Sequence, residues 1–318
     1  MADIMQRVAA FPSVSLGDGT DGATTISGSA SLAKAEYDYI SLTINSGVTW
    51  SLTTAYSPAV IRCLGKVTIN GTIDGDTDGG TGGTGQASYP SDPGAGNEGG
   101  GTGGGTRTWD NAGGTGPGGC SGGNAVHGLT GSNAYQVHQP QVHGGADGYE
   151  VVRPFFTTDN IAQAEEGSGG AGGGNYTGTA GNGGAGGGGI YIIADEIEVS
   201  ASGVITMDGA NATAAGATKA GGGGGGSGGV IVLMARVVTL GGTTNGTATG
   251  GAAGGGAGGG ANGGVGSVGQ CFVYYTQTVS GSASGKFTPA ATVTKIAAIQ
   301  TRRAFHLMNA ERYVEYTL

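Results

Sequence analysis

Glycine tracts that return at a fixed place in a repeating unit constrain this chain more than any other feature. Residues 167–189 hold 14 glycines in 23 positions and residues 79–123 hold 20 in 45, often as Gly-Gly-X triplets such as Gly79-Gly80-Thr81-Gly82-Gly83-Thr84. Glycine loses more backbone entropy on ordering than any other residue, so a chain with 75 glycines in 318 residues must recover that loss through regular packing or stay unfolded. Disordered chains stay soluble through high charge and low hydrophobicity. Here only 11% of residues are charged and 37% are hydrophobic, which favours order.

The C-terminal half aligns on itself with a period of 41 residues. Ile190, Ile231 and Phe272 fall in register, as do Ile192, Leu233 and Tyr274, then Ala194, Ala235 and Thr276, Ile197, Val238 and Val279, and Val199, Leu240 and Gly281. A glycine tract follows each of the first two copies, at residues 210–229 and 241–270. Recurrence of this kind marks a repeat architecture, whereas a flexible linker has no reason to reappear in register.

The apolar segments read as strands. Ile61, Cys63, Gly65, Val67, Ile69, Gly71 and Ile73 occupy consecutive odd positions, and Ile40, Leu42, Ile44, Val48, Trp50 and Leu52 are all even, with Asn45-Ser46-Gly47 as a turn. Period two is the strand signature, and Gly65 and Gly71 would each cost a helix about 1 kcal/mol. Five strand units follow, at 39–53, 59–75, 190–207, 230–240 and 271–280. An ordered form open to the glycine tracts is the extended polyproline-II-type helix of three residues per turn, whose glycines permit side-by-side packing. An arm of about 24 residues folded back on itself would then project roughly 37 Å at about 3.1 Å per residue.

Several classes are disfavoured. A net charge of −9 argues against a nucleic-acid or anionic-membrane binder. No apolar run of about twenty residues suggests a membrane span, and Met1 to Pro12 lacks the basic and apolar regions of a signal peptide. The expectation is a protein made in a cytoplasm. Cys63, Cys120 and Cys271 are too widely spaced for a disulfide framework or thiolate zinc site, and Cys63 and Cys271 read as core residues.

Gly17-Asp18-Gly19-Thr20-Asp21-Gly22, Leu42-Thr43-Ile44-Asn45-Ser46-Gly47-Val48-Thr49 and Gly65-Lys66-Val67-Thr68-Ile69-Asn70-Gly71-Thr72-Ile73-Asp74-Gly75, in that order, resemble the opening of glycine-rich bacteriophage virion proteins of the tail-fibre or minor structural type. The motif match spans residues 17–75, and the glycine-rich repeats are similar in style through about residue 285. Phage adhesins with packed polyglycine helices are a looser likeness, carried by style. The resemblance implies a β-solenoid-like body, a place in the virion and contact with the host surface.

Two regions break the repeat. Residues 124–166 contain five glycines in 43 positions but carry His127, His138, His143, Tyr135, Tyr149, Phe155 and Phe156. Aromatic and amide side chains on loops held by a rigid scaffold suit recognition of sugars or protein loops. Tyr135, His138, His143, Tyr149, Phe155 and Phe156 are therefore the candidate receptor-binding residues, with Phe155 and Phe156 more readily read as anchors of a small cap and Tyr135 and Tyr149 equally open to both readings. The second break is residues 288–318, where Lys295, Arg302, Arg303 and Arg312 accompany Ile296, Ile299, Phe305, Leu307, Met308 and Tyr313. A helix over about 299–312 fits this composition. Arg302, Arg303, Phe305 and Tyr313 are candidates for docking an acidic partner or a neighbouring protomer, and a simple cap over the last repeat reads the residues equally well.

Asp74, Asp76 and Asp78 place three carboxylates at alternate positions before Gly79, like the opening of a calcium loop. The bidentate Glu of such a loop is replaced by Gly85, so an Asp/Gly-rich exit turn competes with calcium. His138, His143 and Asp147 could gather a divalent cation only if the loop curls, because Pro140 prevents the helix that would fix their spacing. Catalysis lacks a nucleophile elbow, an HExxH or a P-loop. Of the acids that a glycosidase would need, Asp147, Glu150, Glu165 and Glu166 are present, and nothing singles them out.

The expected fold is all-β, a β-solenoid-like body with about 41-residue repeats and glycine-rich polyglycine-II-type arms. It divides into an N-terminal attachment or capping segment (1–38), strand repeats (39–78), glycine-rich arms with the 124–166 insert (79–189), further repeats with glycine-rich loops (190–285) and a C-terminal docking segment (286–318). The expected function is non-enzymatic. A receptor-binding fibre is set against a capsid decoration or head-fibre protein and a self-assembling surface filament. Expected partners are other virion proteins, a host-surface glycan or outer-membrane protein, and further copies of the chain, as a trimer; no cofactor beyond calcium is expected.

Overall fold

A computed structural model describes residues 16–85, 166–167, 169–173, 179–216, 220–258, 262–280 and 282–296. The described chain is all-β. Its strands are β1 (Gly22–Ile26), β2 (Ala30–Ser31), β3 (Glu36–Ile44), β4 (Thr49–Ser51), β5 (Ala59–Ile69), β6 (Thr72–Asp74), β7 (Gly189–Val199), β8 (Val204–Thr206), β9 (Val230–Leu240), β10 (Gly246–Thr247), β11 (Gln270–Val279), β12 (Phe287–Thr288) and β13 (Thr292–Lys295). Two sheets form, one in the order β1-β3-β5-β7-β9-β11-β13 and the other β12-β10-β8-β6-β4-β2. Every pairing between these strands is parallel.

Alternation places one aliphatic row after another between the sheets. In the first sheet Ile26, Ile44, Ile69, Val199 and Leu240 stand opposite one another on successive strands, and Leu42, Val67, Ile197, Val238 and Val279 form a second row. Trp50, Ile73, Ile205, Gly246 and Phe287 align in the second sheet. Gly246 makes room for its neighbour, since a Cβ there would run into the Phe287 ring. Apart from Gly246, these residues belong to one buried cluster or, as partly buried Ile26 and Val279, pack against it; each fully buried aliphatic side chain there contributes about 1.5–3 kcal/mol.

A switch of face in mid-strand corrects part of the periodic reading. Ile40 was expected inside, with the other even positions of its run, yet it is 52% exposed. The pairing of β3 with β5 is irregular between Tyr39 and Leu42, so Tyr37 and Tyr39 before that point share the inner face with Leu42 and Ile44 after it. β5 keeps its odd parity because it carries one more residue across the irregularity, between Cys63 and Val67. Gly65 sits in that stretch, where a Cβ would come 2.9 Å from the Ile40 carbonyl oxygen.

The 41-residue register holds from β7 to β9, where Ile190 pairs with Ile231 and Val199 with Leu240. From β9 to β11 it begins one residue off. Ile231 faces Cys271 and Leu233 faces Val273, where Phe272 and Tyr274 were expected; an irregularity between Tyr275 and Thr278 then restores Val238 opposite Val279. Earlier strands are closer in sequence, with Thr24 opposite Leu42 and Leu42 opposite Val67. Strands also occur where no strand unit was read: β1 and β2 lie within residues 1–38, β10 within the second glycine tract, and β12 and β13 within or beside the C-terminal segment.

The outer face of the first sheet is buried over the start of β7 and β9. Tyr191, Ile193, Val230, Val232 and Met234 are all 4% exposed or less, and Leu16 and Ile296 pack beside Ile193 and Met234. Burial on both faces explains why Ile190–Ala194 and Val230–Ala235 read as unbroken apolar runs.

Beside the sheets, glycine-rich segments hydrogen-bond to one another at every third residue. Gly80 and Gly83 donate to Gly167 and Gly170; Gly167, Gly170 and Gly173 donate to Gly187, Gly184 and Gly181. Gly181, Gly184 and Gly187 donate onward to Gly221, Gly224 and Ser227, and Gly225 and Gly228 to Gly264 and Ser267. Residues 209–215 donate to 249–255 by the same step of three. The three-residue step sorts side chains: Gly83 and Gly85 are buried while Thr81 and Thr84 are exposed.

Candidate functional site

Of the candidate site residues, the structure describes Asp74, Asp76 and Asp78, at the point where the chain leaves β6 for the first glycine tract. The turn is local in origin. Thr77 has φ 65°, Asp76 N–H donates to Asp74 Oδ1 at 3.1 Å, and Asp78 N–H donates to the Gly75 carbonyl at 3.3 Å. It is tied to the next strand pair by Gly75 N–H to Thr206 O (2.8 Å), Thr77 N–H to Asp208 O (2.9 Å) and Asp208 N–H to Asp76 Oδ1 (2.7 Å).

Burial is the main force on Asp76 and Asp78. It pushes the Asp76 carboxyl above the ordinary carboxylate range, aided by the charges of Asp208 and Asp74, and the Asp208 N–H bond pulls only partly the other way. Asp78 is raised for the same first reason, with Asp74 adding to it and bonds to Thr54 opposing it. Asp74 Oδ1 spends acceptor capacity on the turn itself, and Asp76 Oδ1 on the link to the following one. Among the described residues, no three His, Cys, Asp or Glu side chains are grouped so as to hold a metal ion.

The same turn starts a rail of side-chain acceptors that sequence reasoning missed. Asp208 takes the Thr249 N–H (2.5 Å) on Oδ1 and the Thr247 hydroxyl (2.9 Å) on Oδ2. Further out, Asn182 Oδ1 accepts from Gly85 N–H (2.8 Å), Asn211 Oδ1 from Ala252 N–H (2.7 Å) and Asn262 Oδ1 from Gly256 N–H (2.9 Å). These side chains satisfy backbone donors at the margin of the glycine segments, part-buried at Gly85 and Thr249 and exposed at Ala252 and Gly256. Asp208 and Asn211 stand 41 residues before Thr249 and Ala252, so the repeat carried a signal for the rail once its partners were known.

A second ladder lies where the first sheet switches face. Arg236 binds Asp195 from Nε and Nη2 (2.9 Å each), Glu196 from Nη2 (2.8 Å) and Gln277 from Nη1 (2.8 Å), joining three successive strands. Lys66 pairs with Glu198 at 2.5 Å nearby. Exposed pairs of this kind contribute about 0–1 kcal/mol each, so they set register more than stability.

Cys63 and Cys271 are free thiols buried in the core, as their apolar surroundings suggested. Burial raises both, Cys271 to about 12, so both stay protonated and unreactive near neutral pH. Tyr135, His138, His143, Tyr149, Phe155 and Phe156 lie outside the described residues, as do Arg302, Arg303, Phe305 and Tyr313. Comparison with family models, curated proteins and solved structures found no match to the chain.

Proposed function

We propose that this protein is a non-enzymatic structural protein of a bacteriophage virion, a receptor-binding tail fibre or its tip. On this reading the two stacked parallel sheets are a β-solenoid, and the three-residue hydrogen-bond step of the glycine segments is that of packed polyglycine-II helices. The observation that carries the proposal is the way the long insert is attached. The described residues on either side of 86–165 belong to two glycine segments bonded to each other, through Gly80 to Gly167 and Gly83 to Gly170. An aromatic and histidine-bearing segment mounted on a hydrogen-bonded scaffold is suited to recognition, because the scaffold bears the ordering cost before any ligand arrives.

The ligand class is a host-surface glycan or outer-membrane protein, with Tyr135, His138, His143, Tyr149, Phe155 and Phe156 as the contacting residues. Arg302, Arg303, Phe305 and Tyr313 dock the chain to other virion proteins or to sister copies in a trimer, and Asp74, Asp76 and Asp78 serve the turn.

The test compares binding of purified full-length protein to a panel of bacterial cells with that of a variant whose residues 124–166 are replaced by a short Gly-Ser linker. Circular dichroism and the thermal midpoint check the fold of both. Binding by the full chain and its loss in the variant is the expected result. Equal binding by both would move the receptor contact outside residues 124–166, and binding by neither, with attachment to virions stripped of the protein, would replace the adhesin by a decoration subunit.

A further inference from the structure

We infer that Val265 and Val268 terminate the glycine packing, so that a second copy of this chain cannot extend the bundle across its last described segment. Three returning segments occupy equivalent places: 181–187, 222–228 and 262–268. Their equivalence follows from the strands they enter, since Gly189 pairs with Val230 and Val230 with Gln270. It follows again from their bonds, since Gly184 N–H reaches the carbonyl just before Gly225, and Gly225 N–H the carbonyl just before Val265.

In the first two segments the shared ridge is glycine, and the reason is contact. A Cβ on Gly184 or Gly187 would fall within 3.0 Å of the carbonyl oxygen of Ala210 or Met207, and one on Gly225 or Gly228 within 3.0 Å of that of Gly251 or Ala248. The next segment lies against the ridge at a spacing that admits no side chain. In the third segment the same two positions are Val265 and Val268, 61% and 57% exposed. Three residues apart, they fall on one ridge of a three-residue helix. A further glycine segment cannot approach that ridge at the spacing used inside the bundle, because two branched side chains already fill it.

The acceptors of the rail that reach forward to the next unit end at the same margin, although Asn262 still caps Gly256 within the last described unit. Asp208 and Asn211 each supply an oxygen to the following segment, at Thr249 and Ala252. The residues that succeed them in the repeat are Thr249 and Ala252 themselves, which carry neither a carboxylate nor an amide. Steric closure and loss of the forward-reaching acceptors thus coincide on the last described unit, through different residues.

Three full-length variants test this in sedimentation velocity over a range of concentrations, beside the wild-type chain. V265G/V268G is expected to shift the distribution towards larger species as concentration rises, because it restores a ridge that a second bundle can approach. V265T/V268T is expected to sediment as wild type, since threonine keeps the branched bulk while removing the apolar surface. Gly225→Val is expected to lower the thermal midpoint or abolish cooperative unfolding, because it puts the same side chain where the next segment packs. An unshifted V265G/V268G would overturn the proposal. So would loss of a wild-type assembly in V265T/V268T, which would make the valines a docking surface, or an unchanged midpoint in Gly225→Val.

Discussion

Asp76 shows how a carboxylate can be structural and still work against the fold. Its Oδ1 accepts the Asp208 N–H, which ties one exit turn to the next, but burial and the neighbouring charges of Asp208 and Asp74 raise its folded-state pKa above the ordinary aspartate value of 3.8. Between 3.8 and that raised value the native state holds a proton that the unfolded chain has released. Stability therefore falls as pH rises through this window, and the full penalty remains above it. Asp76→Asn keeps an acceptor oxygen for the Asp208 N–H and removes the charge. The variant should show a higher urea midpoint than wild type at neutral pH, and the difference should shrink as pH falls and vanish below 3.8. A variant weaker than wild type at neutral pH would mean that the charge is needed there, which would reopen the calcium reading of Asp74, Asp76 and Asp78.

At the scale of elements, the glycine segments differ from strands in what a side chain does to them. Inside the bundle, a Cβ on Gly222 would lie within 3.0 Å of the Gly254 carbonyl oxygen, whereas on the outer row a Cβ on Gly255 would make an ordinary 3.9 Å contact with the Ala214 methyl group. Gly222→Ala should cost about 1–3 kcal/mol or more, because the backbones must separate and their hydrogen bonds lengthen. Gly255→Ala should be neutral or stabilising by about 0.4–1 kcal/mol through the reduced entropy of the unfolded chain. Equal midpoints for the two variants in denaturant would contradict the packing described above. This contrast also marks the limits of the sequence. Alternation exposed the strands because Ile61, Cys63, Val67 and Ile69 report their own burial, but the inward Tyr37 and Tyr39 were hidden by a face switch that Ile40 alone does not betray. The Asp74–Asp78 turn was legible as an Asp/Gly cluster. The caps Asn182, Asn211 and Asn262 were not, since a single amide among glycines acquires meaning only from the segment it serves. The one-residue offset of β11 likewise depends on a pairing partner, and apolar residues at 271, 272, 273 and 274 leave the period ambiguous.

For the whole molecule, the solenoid reading makes stability close to a sum over neighbouring units, so one unit should be removable in register. Deleting residues 190–230 joins Gly189 to Ile231 and lets β9 replace β7 against β5. Ile231, Leu233 and Val238 then occupy the places of Ile190, Ile192 and Ile197, as their present pairing prescribes. Gly189 remains beside Pro58, where a Cβ would come 2.8 Å from the proline ring, and the segment ending at Gly187 meets 248–254 in place of 207–213. Lys66 loses Glu198, a largely exposed pair of small value. Deleting only residues 190–229 retains Val230 after Gly189 and moves every following side chain by one position. That slip turns Ile231 and Leu233 outward and brings Val230 and Val232 into the core, with the rows above and below out of step. The longer deletion should therefore unfold in one cooperative transition with a lower midpoint and a smaller m-value, while the shorter one, though it removes less, should lose cooperative unfolding. Indistinguishable denaturation curves for the two would mean that the chain is not held by the strand register, and the additive reading of its units would fall.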